Sequence, residues 1–122
     1  MLFALFLLTL VSCKKEVTEV SVDAFAQLNN EVVFVDGVYN VQFTLQQYPY
    51  KEVGVKLATN KTMFNKNTGL TQQTANEISS NRYSTFYNLL TPKTIYYYQI
   101  YVKDSASSKE VYSDVFSFTT NP

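Results

Sequence analysis

The chain has 122 residues, enough for one domain that buries its own core without disulfides or metals. Lys plus Arg and Asp plus Glu number 10 each, so no broad electrostatic field recruits nucleic acid or an anionic membrane surface. With 3 Gly, 3 Pro and 46% hydrophobic residues the chain is neither low-complexity nor disordered, and the absence of His removes Ser-His-Asp and Cys-His nucleophile systems and histidine metal sites.

The first predicted element is the apolar run Leu2 to Val11, broken only by Thr9. Ten residues span roughly 15 Å as a helix, about half a bilayer core, which is too short to cross a membrane and suits the h-region of a signal peptide. The run leads to Cys13, the single cysteine, which can form no intramolecular disulfide and no zinc site by itself. The residues Leu10-Val11-Ser12-Cys13 resemble the lipobox of bacterial lipoproteins. That resemblance implies a diacylglyceryl thioether on Cys13, cleavage before it and acylation of the new N-terminus. Two or three acyl chains give stable anchoring where one does not. No Lys or Arg precedes the apolar run, as an n-region normally supplies, which points to a mis-assigned or truncated start. The competing reading is a buried core cysteine at the edge of an N-terminal helix.

The expected division is a signal peptide over 1–12, a lipidated cysteine and polar tether over 13–17, and a folded domain over 18–122. From about Val17 onward the pattern is strand after strand, with expected strands near Val17 to Phe25 and Glu31 to Val35 and breakers at Leu28-Asn29-Asn30 and Asp36-Gly37. The stretch Ala24 to Asn30 is too short for a stable helix and reads as loop. Val41, Phe43 and Leu45 fall on one face of a strand, as do Val53, Val55 and Leu57. A long polar connection over about Asn60 to Asn81 holds one short edge strand near Leu70 to Thr74. Strands follow over Arg82 to Leu89, Thr94 to Asp104 and Glu110 to Thr120. The spacing predicts an all-β sandwich of about seven antiparallel strands.

The run Ile95-Tyr96-Tyr97-Tyr98 cannot be one aromatic platform, because neighbours on a strand point to opposite faces. Tyr96, Tyr98, Ile100 and Val102 make a wholly apolar or aromatic set and are the expected core face. Tyr97 and Tyr101 share the other face with Gln99 and Lys103, where exposed aromatics stack on sugar rings or pack against a protein partner. Lys103 and Lys56 covering both rings, as on an ordinary sandwich surface, is the competing and favoured reading.

The segment Leu90-Thr91-Pro92-Lys93-Thr94-Ile95-Tyr96 resembles the L-x-P-x-T-x-Y pattern of fibronectin type III domains, an immunoglobulin-like sandwich. The resemblance covers about Val17 to Thr120. It implies a tyrosine corner in which the Tyr96 hydroxyl bonds an upstream backbone group, with Leu90, Pro92 and Thr94 shaping the turn, and it places Tyr83, Thr85 and Tyr87 inward. Ser113 to Thr120 resembles the last strand of such domains, and Glu52-Val53-Gly54-Val55 resembles a strand start found on envelope proteins of Bacteroidetes-type bacteria. The tryptophan that many members carry is absent.

Little in the chain suggests catalysis. The aspartates Asp23, Asp36, Asp104 and Asp114 are scattered singly, no D-x-D-x-D run suggests calcium, and no glycine-rich phosphate loop exists. The expectation is a chain with no catalytic residues, metal or cofactor. Asp104-Ser105-Ala106 resembles the O-glycosylation site of Bacteroidetes-type bacteria, which would place a glycan on Ser105, although a plain turn is the favoured reading. Asn60-Lys61-Thr62 fits an N-glycosylation sequon that a bacterial lipoprotein would rarely use. Taken together, these readings lead us to expect a cell-envelope lipoprotein held in the membrane, the outer membrane first, through Cys13. It would serve as a protein-interaction or spacer module docking on an envelope protein, with carbohydrate binding on a polysaccharide as the alternative and nucleic acid excluded.

Overall fold

The computed structural model describes residues 23–105 and 109–122. The expected signal peptide, Cys13 and tether lie outside the described residues, as does most of the strand expected over Val17 to Phe25. Within the described residues the chain forms β1 (Asn29–Val35), β2 (Val38–Thr44), β3 (Glu52–Ala58), a single turn of helix α1 (Met63–Lys66), β4 (Thr71–Thr74), β5 (Asn76–Ser79), β6 (Arg82–Tyr87), β7 (Ile95–Lys103) and β8 (Glu110–Thr119). The strands make two four-stranded antiparallel sheets, ordered β1-β2-β6-β5 and β4-β3-β7-β8. The all-β sandwich expected from the spacing is the observed architecture, with eight strands where about seven were expected.

The extra strand comes from the polar connection. Its Gln-Thr-rich stretch pairs first with β3 as β4, then Ala75 donates its N–H to Val53 O at 2.8 Å, and the chain crosses to pair with β6 as β5. Both pieces are four residues long with mostly exposed side chains, so alternating hydrophobicity gives them almost no signal. The β1–β2 hairpin is easier to read. Asp36 and Gly37 both take positive φ, 53° and 81°, as a two-residue hairpin turn matched to the strand twist requires.

Packing follows the alternation. Val41 and Phe43 of β2 and Val55 and Ile100 of β3 and β7 are fully buried, and Tyr96, Tyr98 and Val102 close the core beside them. Thr85 and Tyr87 of β6 point inward and Tyr83 packs at the margin, its ring stacked 5.8 Å from Phe43. The hydroxyls of two core tyrosines tie the sheets together. Asn30 of β1 donates to the Tyr98 hydroxyl at 2.6 Å, and the Asn121 N–H donates to that of Tyr39 at 2.8 Å. Gln73 of β4 reaches across to Thr85 Oγ1 and Phe86 O at 2.7 and 2.9 Å. A buried hydroxyl with a partner costs little.

Candidate functional site

The turn before β7 is built from the residues singled out by the sequence. Tyr96 is buried, and its hydroxyl accepts the Thr91 N–H at 2.8 Å, so the backbone is the donor. Thr94 Oγ1 donates to Pro92 O at 2.9 Å, Leu90 packs against the core, and Lys93 takes a positive φ of 52°. Thr120, also buried, donates its hydroxyl to Thr91 O at 2.6 Å and accepts the Thr94 N–H at 2.9 Å. These contacts fix how the chain enters β7 and are structural.

The outer face of the β4-β3-β7-β8 sheet is covered over one of its two tyrosines, with the Lys56 ammonium 5.7 Å from the centre of the Tyr101 ring. Tyr97 is half-buried, but Tyr101 is fully buried. The exposed Tyr97–Tyr101 pair that alternation suggests is therefore absent. Tyr101 lies over Gly54, its partner across the β3–β7 ladder, and its hydroxyl donates to Glu52 Oε2 at 2.5 Å while accepting from Gln72 at 3.2 Å. Burial, chiefly, and the Glu52 carboxylate push the Tyr101 hydroxyl well above its ordinary pKa, so it stays protonated and donating.

Beside it stands Lys56, only 4% exposed although it points away from the core. Burying an ammonium is costly unless it is paired and hydrogen-bonded. Its ammonium pairs with Glu110 Oε1 at 3.2 Å, bonds the Tyr112 hydroxyl at 3.4 Å and sits 4.5 Å from the centre of the Tyr112 ring. Tyr112 in turn donates to Glu110 at 2.5 Å, and that bond, with Lys56 and Lys103 nearby, holds the Glu110 carboxyl below its ordinary pKa. Lys103 lies 3.5 Å from Glu52 and 3.8 Å from Glu110. Two cations and two anions thus form one network of zero net charge.

A bulge brings Tyr112 there. Tyr98 pairs with Phe116 and Gln99 with Val115, but Tyr101 pairs with Tyr112, one residue out of step. The buried Ser113 fills the irregularity, its Oγ accepting the Ile100 N–H at 3.0 Å. Counted straight back from Phe118 and Phe116, Tyr112 would face the core; the extra residue turns it outward, 45% exposed. α1 and the loop after it rise beside this face. Phe64, Asn67, Leu70, Lys56, Gln99 and Tyr112 enclose a pocket of about 230 Å³. Sequence reasoning missed Tyr112 and Asn67; the one available signal was the break in alternation at Ser113-Asp114.

A second cavity, of about 340 Å³, opens at one end of the sandwich between Tyr48, Tyr50, Asp23, Asp104 and Lys109. Tyr48 donates to Asp104 at 3.3 Å, and Tyr50 donates to Gln46 O, with burial first and then neighbouring charge pushing its hydroxyl up to about 12. Asp23 and Lys109 each border, in sequence, residues outside the described ones. Ser105 is exposed in the same loop, and Ala106, which completes its motif, lies outside the described residues.

Among the described residues no three His, Cys, Asp or Glu side chains gather as a metal site, and no helix is long and apolar enough to cross a membrane. No protein-family model matches the chain, and no curated protein matches it. Likeness to solved structures is one of fold at low identity. An alpha-L-rhamnosidase from Dictyoglumus thermophilum matches with a TM-score of 0.50 at 19% identity, over 70% of this chain and 10% of that one. The likeness is one of fold, and the matched part is about a tenth of that protein's length.

Proposed function

We propose that the chain is a non-catalytic binding module of the bacterial cell envelope, fibronectin type III-like and lipid-anchored at Cys13, whose working surface is the pocketed outer face of β4-β3-β7-β8. The observation that carries this reading is the placement of Lys56. Its ammonium, with Glu110, holds the half-exposed Tyr112 ring at the edge of a pocket that Gln99, Asn67, Phe64 and Leu70 complete. The absence of His, and the engagement of Glu52 and Glu110 in ion pairs, support binding over catalysis. The mixed aromatic and amide lining of the pocket favours a glycan as what is bound. The fold likeness to part of a protein named an alpha-L-rhamnosidase agrees with a glycan-handling setting.

A protein-docking module is the second reading, favoured by the opposite sheet, where Val35 and Phe86 are about half exposed and nearby Leu89 is 92% exposed. Affinity electrophoresis of the full-length protein through neutral polysaccharides, beside in-cell cross-linking of wild type and Cys13→Ala, separates the two. Retardation by at least one polysaccharide is the expected result. No retardation, with one dominant envelope protein captured only when Cys13 is present, replaces the glycan reading with protein docking. Failure of the wild type to incorporate labelled fatty acid at Cys13 overturns the anchor.

A further inference from the structure

We propose that the pocket between α1 and the sheet face holds a single uncharged pyranose ring, stacked on Tyr112 and hydrogen-bonded by the side-chain amides of Gln99 and Asn67. The inference rests on the glycan reading above and adds the site and the class of sugar.

Size comes first. A pocket of about 230 Å³ lies below the roughly 300–1,000 Å³ typical of sites for drug-sized ligands, which suits one ring of a longer chain lying across an open face. The aromatic floor is the second element. The Lys56 ammonium lies 4.5 Å from the Tyr112 ring centre and the hydroxyl is bonded to Glu110, so the ring is held in one orientation while 45% of the residue stays exposed. A ring fixed before binding loses little entropy when a sugar's C–H face covers it.

Polar groups complete the site. Gln99 pairs with Lys56 across the β3–β7 ladder and spends one N–H on Ser113 O at 2.9 Å, which fixes its amide. A primary amide carries a second donor and an acceptor, the combination that matches a sugar hydroxyl. Asn67, at the left-handed end of α1 with φ 51°, supplies the same chemistry from the other wall. Charge decides between neutral and acidic sugars. Lys56 and Lys103 are both engaged by Glu110, and Lys103 also by Glu52, so a uronate entering the pocket would meet balanced charge with no net cation to recruit it.

The test is an NMR titration of the full-length chain, in a detergent without a sugar headgroup, with methyl glycosides of glucose, galactose and mannose and with galacturonate. The expected result is saturable movement of the Gln99 and Asn67 side-chain amide signals with at least one neutral glycoside and none with galacturonate. Tyr112→Ala should weaken that binding roughly tenfold, the size of one lost stacking contact. Asn67→Gly, which keeps the left-handed backbone and removes only the amide, should weaken it severalfold in a protein as stable as wild type. This second variant keeps the test decisive if Tyr112→Ala does not fold. Neutral-sugar binding that moves Tyr48 and Tyr50 signals and survives both substitutions overturns this site while leaving a glycan-binding module. Binding of galacturonate alone overturns the uncharged class. No response to any probe, together with no polysaccharide retardation, overturns the glycan reading itself.

Discussion

Tyr101 and Gly54 face each other across the β3–β7 ladder so closely that a Cβ on Gly54 would stand 2.5 Å from both Cε1 and the hydroxyl oxygen of the tyrosine. The glycine is a space requirement, since a strand interior otherwise disfavours it. With nothing on the Gly54 Cα, the ring settles over β3, and its hydroxyl reaches Glu52 on β3 and Gln72 on β4, the strand beyond it.

Gly54→Ala should therefore destabilise the domain by about 1–3 kcal/mol, the usual cost of overpacking. The Gln73 carbonyl oxygen also lies 2.5 Å from the added methyl, so shortening Tyr101 to leucine should not restore stability. Urea unfolding of the single and double variants measures this; full recovery in the double variant would place all of the strain in the ring.

The ion pair beneath Tyr112 should respond asymmetrically. Glu110→Ala leaves a nearly buried ammonium without its nearest anion and should cost about 2–3 kcal/mol, whereas Lys56→Met fills the same space with an apolar chain and should cost less than about 1 kcal/mol. Equal losses in thermal or urea unfolding would contradict this account.

Stability should also depend on acid in a defined direction. The Glu110 carboxyl has a folded-state pKa below its unfolded value of 4.5. Its contribution is then fully present above about pH 4.5 and is lost as the pH falls through the folded-state value. Between pH 7 and pH 3 the wild type should lose more stability than Glu110→Gln, as read from unfolding midpoints at each pH.

Two core tyrosines should behave in opposite ways when their hydroxyls are removed. The Tyr87 hydroxyl is buried with no hydrogen-bond partner among the described residues, so Tyr87→Phe should be neutral or stabilising by up to about 1 kcal/mol. Tyr96→Phe leaves the Thr91 N–H without its acceptor and should cost about 1–2 kcal/mol. Differential scanning calorimetry of both variants gives the comparison, and a loss at Tyr87→Phe would reveal a partner for that hydroxyl.

Local chemistry made much of this molecule legible in advance. The inward sets Val41-Phe43-Leu45 and Tyr96-Tyr98-Ile100-Val102 were visible because a strand's period of two is imposed by backbone geometry and a buried face must be apolar. The Asp36-Gly37 turn was visible because few residues tolerate two successive positive φ angles. β5 was hidden because its four residues bury nothing.

The candidate site belonged to tertiary structure. Alternation placed Tyr101 outward, correctly, but whether an outward residue is exposed depends on what lies across from it. Here that is Gly54, beneath the ring, with Glu52 and Gln72 holding its hydroxyl. Tyr112 shows the limit most clearly: its parity with Phe116 and Phe118 assigns it to the core, and one extra residue in β8, accommodated by Ser113, reverses that assignment. A strand's own sequence sets which residues share a face, but the register against its neighbour sets which face that is, and register is fixed only when both strands are in place.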